Sequence, residues 1–440
     1  MKIFSPLKLQ AISFLIWVIA FLSIPATYIK LGDAFFFSVF SLIMFNLLFA
    51  LGTLAKKNHK KSINLFSKLK KRQLVFFLFC IGFIGVLIRV YQRIFLQKIY
   101  FASNLIETRM DLLSSELNSG ILGVVSAVFY PFATICLLLG VLWNKELKRI
   151  EIIIITVFGL FPIYDSFLTE GRLMIVMIFG MLFITLGFSN YNLFKKGLLV
   201  KAGGLKLFKA PRFFLKKRNI IFSVIVVSLF VGFSVKVMNN RLSVFNYRDT
   251  LKVWEYYHES NIDNEFLAKV KKSDKLNKNK LIGLYSIKHY FAHSVFEYIR
   301  LVGHLENYTG YYYGAYEFYP YLKMLKVVKI DVPSFSDLNN VIYKRGVYTT
   351  FWGPFFLDFG VFGFILSFFL GRFCKQKYLN AKNGSEMDIL LYSFIGINIL
   401  ASFFVSFLNG GNIYFFNAII ITILFSKIWP NNLVITQKKQ

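Results

Sequence analysis

Apolar runs of about twenty residues recur along this chain, and that is the length a helix needs to cross a hydrocarbon layer about 30 Å thick. The runs are Leu9 to Ile29, Ala34 to Ala55, Leu74 to Phe95, Ile121 to Trp143, Ile150 to Leu168, Leu173 to Phe188, Ile220 to Val237, Val347 to Leu370, Met387 to Leu408 and Ile413 to Ile428. Backbone polar groups in lipid must be satisfied within their own segment, so such runs fold as helices. The pattern predicts an all-α, polytopic membrane protein with about ten transmembrane helices. Hydrophobic residues make up 56% of the 440, more than one soluble core of this size would need.

The net charge is +30, and its placement matters more than its size. Eight basic residues and no acid lie between Lys56 and Arg72, and nine basics and no acid between Lys195 and Arg218. Both blocks separate apolar runs, so the positive-inside bias assigns them to cytoplasmic loops, where anionic headgroups add to their hold. Every other connector then follows: Lys145, Lys148, Arg149 and the Arg372 to Lys382 cluster fall inside, as do both termini. The expected location is the cytoplasmic membrane of a bacterium. Nothing resembles a soluble nucleic-acid module, so no nucleic-acid partner is expected. Cys80, Cys136 and Cys374 each lie in or beside an apolar run, which leaves no disulfide framework and no thiolate zinc site.

The same alternation puts 238–346 outside as one large extracytoplasmic loop, between membrane helices in 1–237 and in 347–440. Its charge is mixed, with 17 basic and 11 acidic residues from Lys236 to Arg345. Binding groups are often carried on loops held by a rigid scaffold. Within it, His289, His293, Glu297, Arg300 and His304 follow spacings of four, four, three and four, which aligns them on one helix face. An imidazole can take a proton from a hydroxyl near neutral pH, and a carboxylate can orient it. His293, with Glu297 one turn away, is the candidate base; a purely interfacial amphipathic helix would also show such a polar face. Tyr290 follows His289 where a zinc protease motif has Glu, so no metal is expected.

Arginines form a second theme. Arg89 and Arg93 lie near the outer end of the third run, Arg172 opens the sixth, and Arg300 and Arg345 lie in the loop. An arginine at the bilayer edge is costly and usually paired, and its planar fork suits phosphate oxygens, although snorkelling to headgroups gives the same placement. The third theme is aromatic: Tyr311, Tyr313 and Tyr316 stand in a tyrosine-rich stretch from Tyr308 to Tyr321, suited either to sugar rings or to an interfacial belt.

Three features together resemble the oligosaccharide repeat unit polymerases, the Wzy-type O-antigen and capsule polymerases: one long outer loop in the second half, Glu170-Gly171-Arg172 opening a helix, and the segment Thr350 to Gly360 leading through Gly363. The resemblance implies a GT-C-like, inverting, metal-independent glycosyltransferase with no cofactor. It would join undecaprenyl-pyrophosphate-linked glycans into a surface polysaccharide beside a chain-length regulator and a flippase. The resemblance assigns Arg172 to catalysis. The residue reading adds His293 and Glu297 for catalysis and Arg89, Arg93, Arg300 and Arg345 for pyrophosphate. It also gives Tyr311, Tyr313 and Tyr316 for sugar and Asp358 to orient an arginine such as Arg345. A ligase-type transferase and a polysaccharide flippase are the alternatives. The orientation is testable on its own: a thiol at Lys271→Cys should react with an impermeant maleimide in intact cells, and labelling only after lysis would reverse the topology.

Overall fold

The computed structural model describes residues 2–55, 67–101, 121–169, 172–201, 232, 247–304, 311–327, 329–333, 338, 342–344 and 347–428. Helix α1 (Pro6–Ser23) starts with proline at its first turn, where the missing N–H costs nothing. It is followed by β1 (Ala26–Tyr28), α2 (Phe35–Leu54) and α3 (Lys68–Tyr91), the last capped by Ser67 Oγ accepting from Lys70 N at 3.2 Å. A π-helical turn, Gln92–Leu96, extends α3.

Two of the apolar runs are broken by proline. Ile121 to Trp143 divides into α4 (Ile121–Phe129) and α5 (Pro131–Leu142), and Ile150 to Leu168 into α6 (Arg149–Gly159) and α7 (Phe161–Leu168), with Pro131 and Pro162 opening the second member of each pair. Helix α8 (Leu173–Lys201) follows. After it come α9 (Tyr247–His258), β2 (Ser260–Ile262), α10 (Asn264–Lys272), α11 (Lys275–Gly303) and α12 (Tyr319–Val327). The chain ends in α13 (Trp352–Phe359), α14 (Phe362–Lys382), α15 (Glu386–Leu400) and α16 (Ile413–Ile428). This is a mostly helical, membrane-embedded protein, in which seven of the described helical stretches are long and apolar enough to span a bilayer.

Three expected spans are not among those seven. Of Ile220 to Val237 all but Gly232 lies outside the described residues. Val347 to Leu370 is not one helix: it divides into α13 and α14 at Gly360, whose φ is +51°. A Cβ there would stand 1.8 Å from Cε1 of Tyr311, so the break is a seat for that ring. Met387 to Leu408 stays helical only to Leu400, and the segment 401–408 is unwound but mostly buried. Irregular backbone away from water needs internal partners. Phe403 N donates to Ser13 Oγ at 3.2 Å, Phe407 N to Asn398 Oδ1 at 2.9 Å, and Ser402 O accepts from Phe351 N at 2.8 Å.

Helix α5 runs through the centre, with every residue from Pro131 to Gly140 buried, and packs on α3, α6, α8 and α16. At one end of the bundle, ion pairs join helix termini: Lys71 to Glu386 at 2.8 Å and to Glu146 at 3.4 Å, and Lys377 to Asp388 at 2.8 Å. At the other end α11 lies across α1 and α2. Trp17 Nε1 donates to Ala292 O at 3.2 Å, Tyr298 and Ser41 share a hydroxyl hydrogen bond of 2.7 Å, and Val295, Tyr298, Ile299 and Val302 belong to the main apolar core. The connector after α1 pairs with the 247–304 region, because β1 is antiparallel to β2 with Tyr28 opposite Ser260.

Helices α2 and α14 approach through glycine. A Cβ on Gly52 would meet Phe368 O at 2.0 Å, and one on Gly371 would meet Phe49 O at 2.1 Å. Gly371→Ala should lower the thermal unfolding midpoint in detergent, an overpacking cost of about 1–3 kcal/mol. Gly411→Ala, with nothing within 4 Å, should not. Equal midpoints for the two variants would contradict this helix contact.

Candidate functional site

The polar stripe on α11 does converge, and it converges on partners from elsewhere in the chain. His289, His293, Glu297 and Arg300 are all buried. The end of α9 brings His258, whose Nδ1 lies 3.4 Å from Glu297 Oε1 and whose ring centroid is 4.2 Å from His289 and 5.2 Å from His293. Arg300, 1% exposed, donates from Nη1 to Glu297 Oε1 at 2.7 Å and from Nη2 to the carbonyls of Ile29 at 2.8 Å and Glu259 at 2.9 Å. Glu259 also accepts from Tyr343 Oη at 2.7 Å and pairs with Lys344 Nζ at 3.2 Å. Two carboxylates thus face two cations, and the imidazoles need not carry charge.

The buried histidines are held neutral. Burial, reinforced by His258, pushes His293 down to about 4, and burial also lowers His289 well below the usual imidazole range. His293 Nδ1 lies 2.8 Å from the His289 carbonyl, so in the neutral ring that nitrogen holds the proton and donates it there. Tyr28 Oη lies 3.2 Å from His289 Nδ1, while its ring stacks on Phe296 at 4.0 Å.

Phe296 also lines a second feature. An apolar groove of about 600 Å³ runs between α1 and α2, from Leu7 and Leu47 to Phe21, with Val295, Ile299 and Phe403 among its walls. Tyr28 therefore stands between Phe296, a wall of the apolar groove, and His289 of the buried cluster. On the far side of His293, the Tyr290 ring lies 5.7 Å from the imidazole and carries the Arg172 guanidinium 4.4 Å above it. Arg172 Nη2 is buried without a hydrogen-bond partner among the described residues.

The remaining expected residues go elsewhere. Arg89 and Arg93 both turn to Asp165 of α7, at 3.6 and 3.2 Å, and Tyr100 donates to the same carboxylate at 2.8 Å. Among the described residues one acid thus faces two guanidiniums. Neither arginine contacts Arg300, so the expected pyrophosphate set does not form one cluster, and Arg345 lies outside the described residues. Asp358 does not orient an arginine among the described residues. Its carboxylate accepts from Tyr316 N and Glu317 N, both at 2.9 Å, because the tyrosine-rich turn needs caps for its backbone. Of the expected sugar-binding tyrosines, Tyr313 is 82% exposed, Tyr311 fills the space over Gly360 and Tyr316 is half-buried. Beside them, Glu317 is fully buried, donated to by Ser406 Oγ at 2.5 Å and pushed up to about 8 by burial and by Asp358.

His258, Glu259, Tyr28, Lys344, Asp165 and Glu317 are the residues that sequence reasoning missed. Only Asp165 carried a signal, as an acid inside an apolar run. Among the described residues no group of His, Cys, Asp and Glu is arranged to hold a metal ion. No family model matches the chain, and neither a curated protein nor a solved structure matches it.

An unfolded imidazole binds its proton near pH 6.5, whereas folded His293 does so only near 4. Between those values the unfolded chain holds the extra proton, so this residue's contribution to stability is present above pH 6.5 and is lost as pH falls toward 4. Unfolding midpoints in detergent should fall less steeply over that window for His293→Gln than for the natural chain. Parallel profiles would mean that His293 is not held neutral.

Proposed function

We propose that this protein is a membrane glycosyltransferase that joins lipid-pyrophosphate-linked oligosaccharide repeat units, a polysaccharide polymerase working on the outer face of the bacterial cytoplasmic membrane. One observation carries the reading: Tyr28 and Phe296 link an apolar groove of about 600 Å³ to a buried cluster of imidazoles, carboxylates and cations. A substrate that suits both has a long apolar chain and a polar head reacting at the bilayer surface. The likeness to repeat unit polymerases in Glu170 to Arg172 and Thr350 to Gly360 supports the same class.

In this reading a hydroxyl of the incoming unit attacks the anomeric carbon of the growing chain. The new glycosidic bond forms as the bond to the lipid pyrophosphate breaks, with inversion. We place the base at His258 rather than His293. His293 is too weakly basic at about 4, and its Nδ1 is engaged with a carbonyl. His258 can donate an Nδ1–H hydrogen bond to Glu297, which Arg300 fixes, and that tautomer leaves Nε2 to take the hydroxyl proton. The leaving pyrophosphate departs with the bonding electron pair. Arg172, stacked over Tyr290 with an Nη2 unpaired among the described residues, stabilises that charge.

In vesicles supplied with lipid-linked repeat units, His258→Ala and Arg172→Ala should each slow chain growth by about 100-fold or more, with normal amounts of protein in the membrane. Normal growth from both variants would remove the assignment. Cells lacking the protein should display single repeat units at the surface. Complete loss of surface units, with polymer retained on its carrier, would indicate a ligase, and units stranded inside would indicate a transporter.

A further inference from the structure

We propose that an open groove over the charged cluster binds an acidic sugar of the glycan, so that the repeat unit carries a carboxylate; this rests on the glycan-transfer reading above. The groove has a volume of about 650 Å³, within the range of small-ligand pockets. It lies where α9 and β2 meet the end of β1, and its floor is Glu259, Tyr343 and Lys344, the upper layer of the cluster that contains His258 and Glu297.

The walls fit a sugar. Tyr256, 87% exposed, and Tyr257 offer aromatic surface for C–H groups, Tyr343, whose phenol donates to Glu259, closes the floor, and Asn261 adds an amide. A Tyr with most of its ring in water is not held there by core packing, because burial is what rings ordinarily gain.

Its charges select the sign. Five ionisable side chains besides the tyrosines line the groove: Lys30, Lys252, Lys344, Glu255 and Glu259. Both carboxylates are already engaged. Glu255 Oε1 accepts from Ile262 N at 2.9 Å, and Glu259 is bound by Tyr343, Lys344 and Arg300. The cations are less committed. Lys252 has no hydrogen bond or ion pair among the described residues, and Lys30, 66% exposed, reaches only Glu259 at 3.7 Å. The lining thus carries three ammonium groups against two carboxylates, and Glu259 is already paired with cations, so an anionic ligand meets a net positive groove.

Backbone geometry points to the same place. Glu259 holds φ +43°, a region costly for a residue with a Cβ. It is kept there by its carbonyl, which accepts from Arg300 Nη2 at 2.9 Å and from Ile29 N at 2.9 Å. The strained residue thus joins the groove floor directly to the cluster, and a sugar seated in the groove lies against the residue next to His258 in the chain.

The test uses the full chain in lipid nanodiscs and isothermal titration with three probes: a trimer of galacturonic acid, the same trimer with its carboxyls reduced to alcohols, and inorganic pyrophosphate. The acidic trimer should bind at least about tenfold more tightly than the neutral one. Lys252→Glu, a change at an exposed position, should abolish that preference, and Tyr256→Ala should weaken both trimers. Equal affinity for the two trimers, or binding of neither, would overturn the proposal. Displacement of the acidic trimer by pyrophosphate would also overturn it, making the groove a phosphate site. Chain growth on lipid-linked units is scored separately: polymer without trimer binding would sink the acidic-sugar inference alone, and trimer binding without polymer would sink the polymerase reading alone.

Discussion

The guanidinium of Arg300 is the interaction on which the upper half of this structure depends. From α11 it reaches the carbonyl that follows β1, the carbonyl that follows α9 and the carboxylate of Glu297. Three segments distant in sequence meet on one planar cation, whose fork satisfies several acceptors at once. A buried ion pair is weak evidence for stability, since desolvation offsets much of the attraction. What such a hub supplies is register. With Arg300 in place, the β1–β2 pairing, the seat of Glu259 and the approach of His258 to Glu297 can hold together in one geometry.

Beneath that hub, the fold follows from solvent. Helices whose backbones are internally bonded build the body, and departures from helix occur where partners are supplied. The unwound stretch after α15 borrows side chains from α1 and from α15 itself. The break at Gly360 is matched by a tyrosine ring, and the close approach of α2 and α14 is set by glycines on both. These are packing devices, and they hold together the body on which the α11 cluster sits.

Much of the helical body was legible in the sequence, because apolar runs of spanning length leave little choice of conformation. The α11 stripe was legible for the same kind of reason, since four- and three-residue spacings fix a face. The breaks within two runs coincide with Pro131 and Pro162, a visible signal. The division at Gly360 and the unwinding after Leu400 were not visible, because each depends on a distant ring or side chain. The site was half legible. His293, Glu297 and Arg300 share a helix, but His258, Glu259 and Tyr28 arrive through contacts across long stretches of chain, as the 261-residue separation of Tyr28 and His289 illustrates. The contacts of Asp358 were not legible either: among the described residues its carboxylate meets the backbone N–H groups of a tyrosine-rich turn 41 and 42 residues away in sequence.

The groove between α1 and α2 has its widest meaning in kinetics. Its walls are apolar and belong largely to two helices long enough to span a bilayer, so under the proposed reading a lipid carrier would reach it from the membrane. Uptake is then a search in a plane, and the relevant concentration is molecules per unit of membrane area. Adding inert lipid to a fixed number of carriers would dilute them and slow capture, with no change in the protein at all.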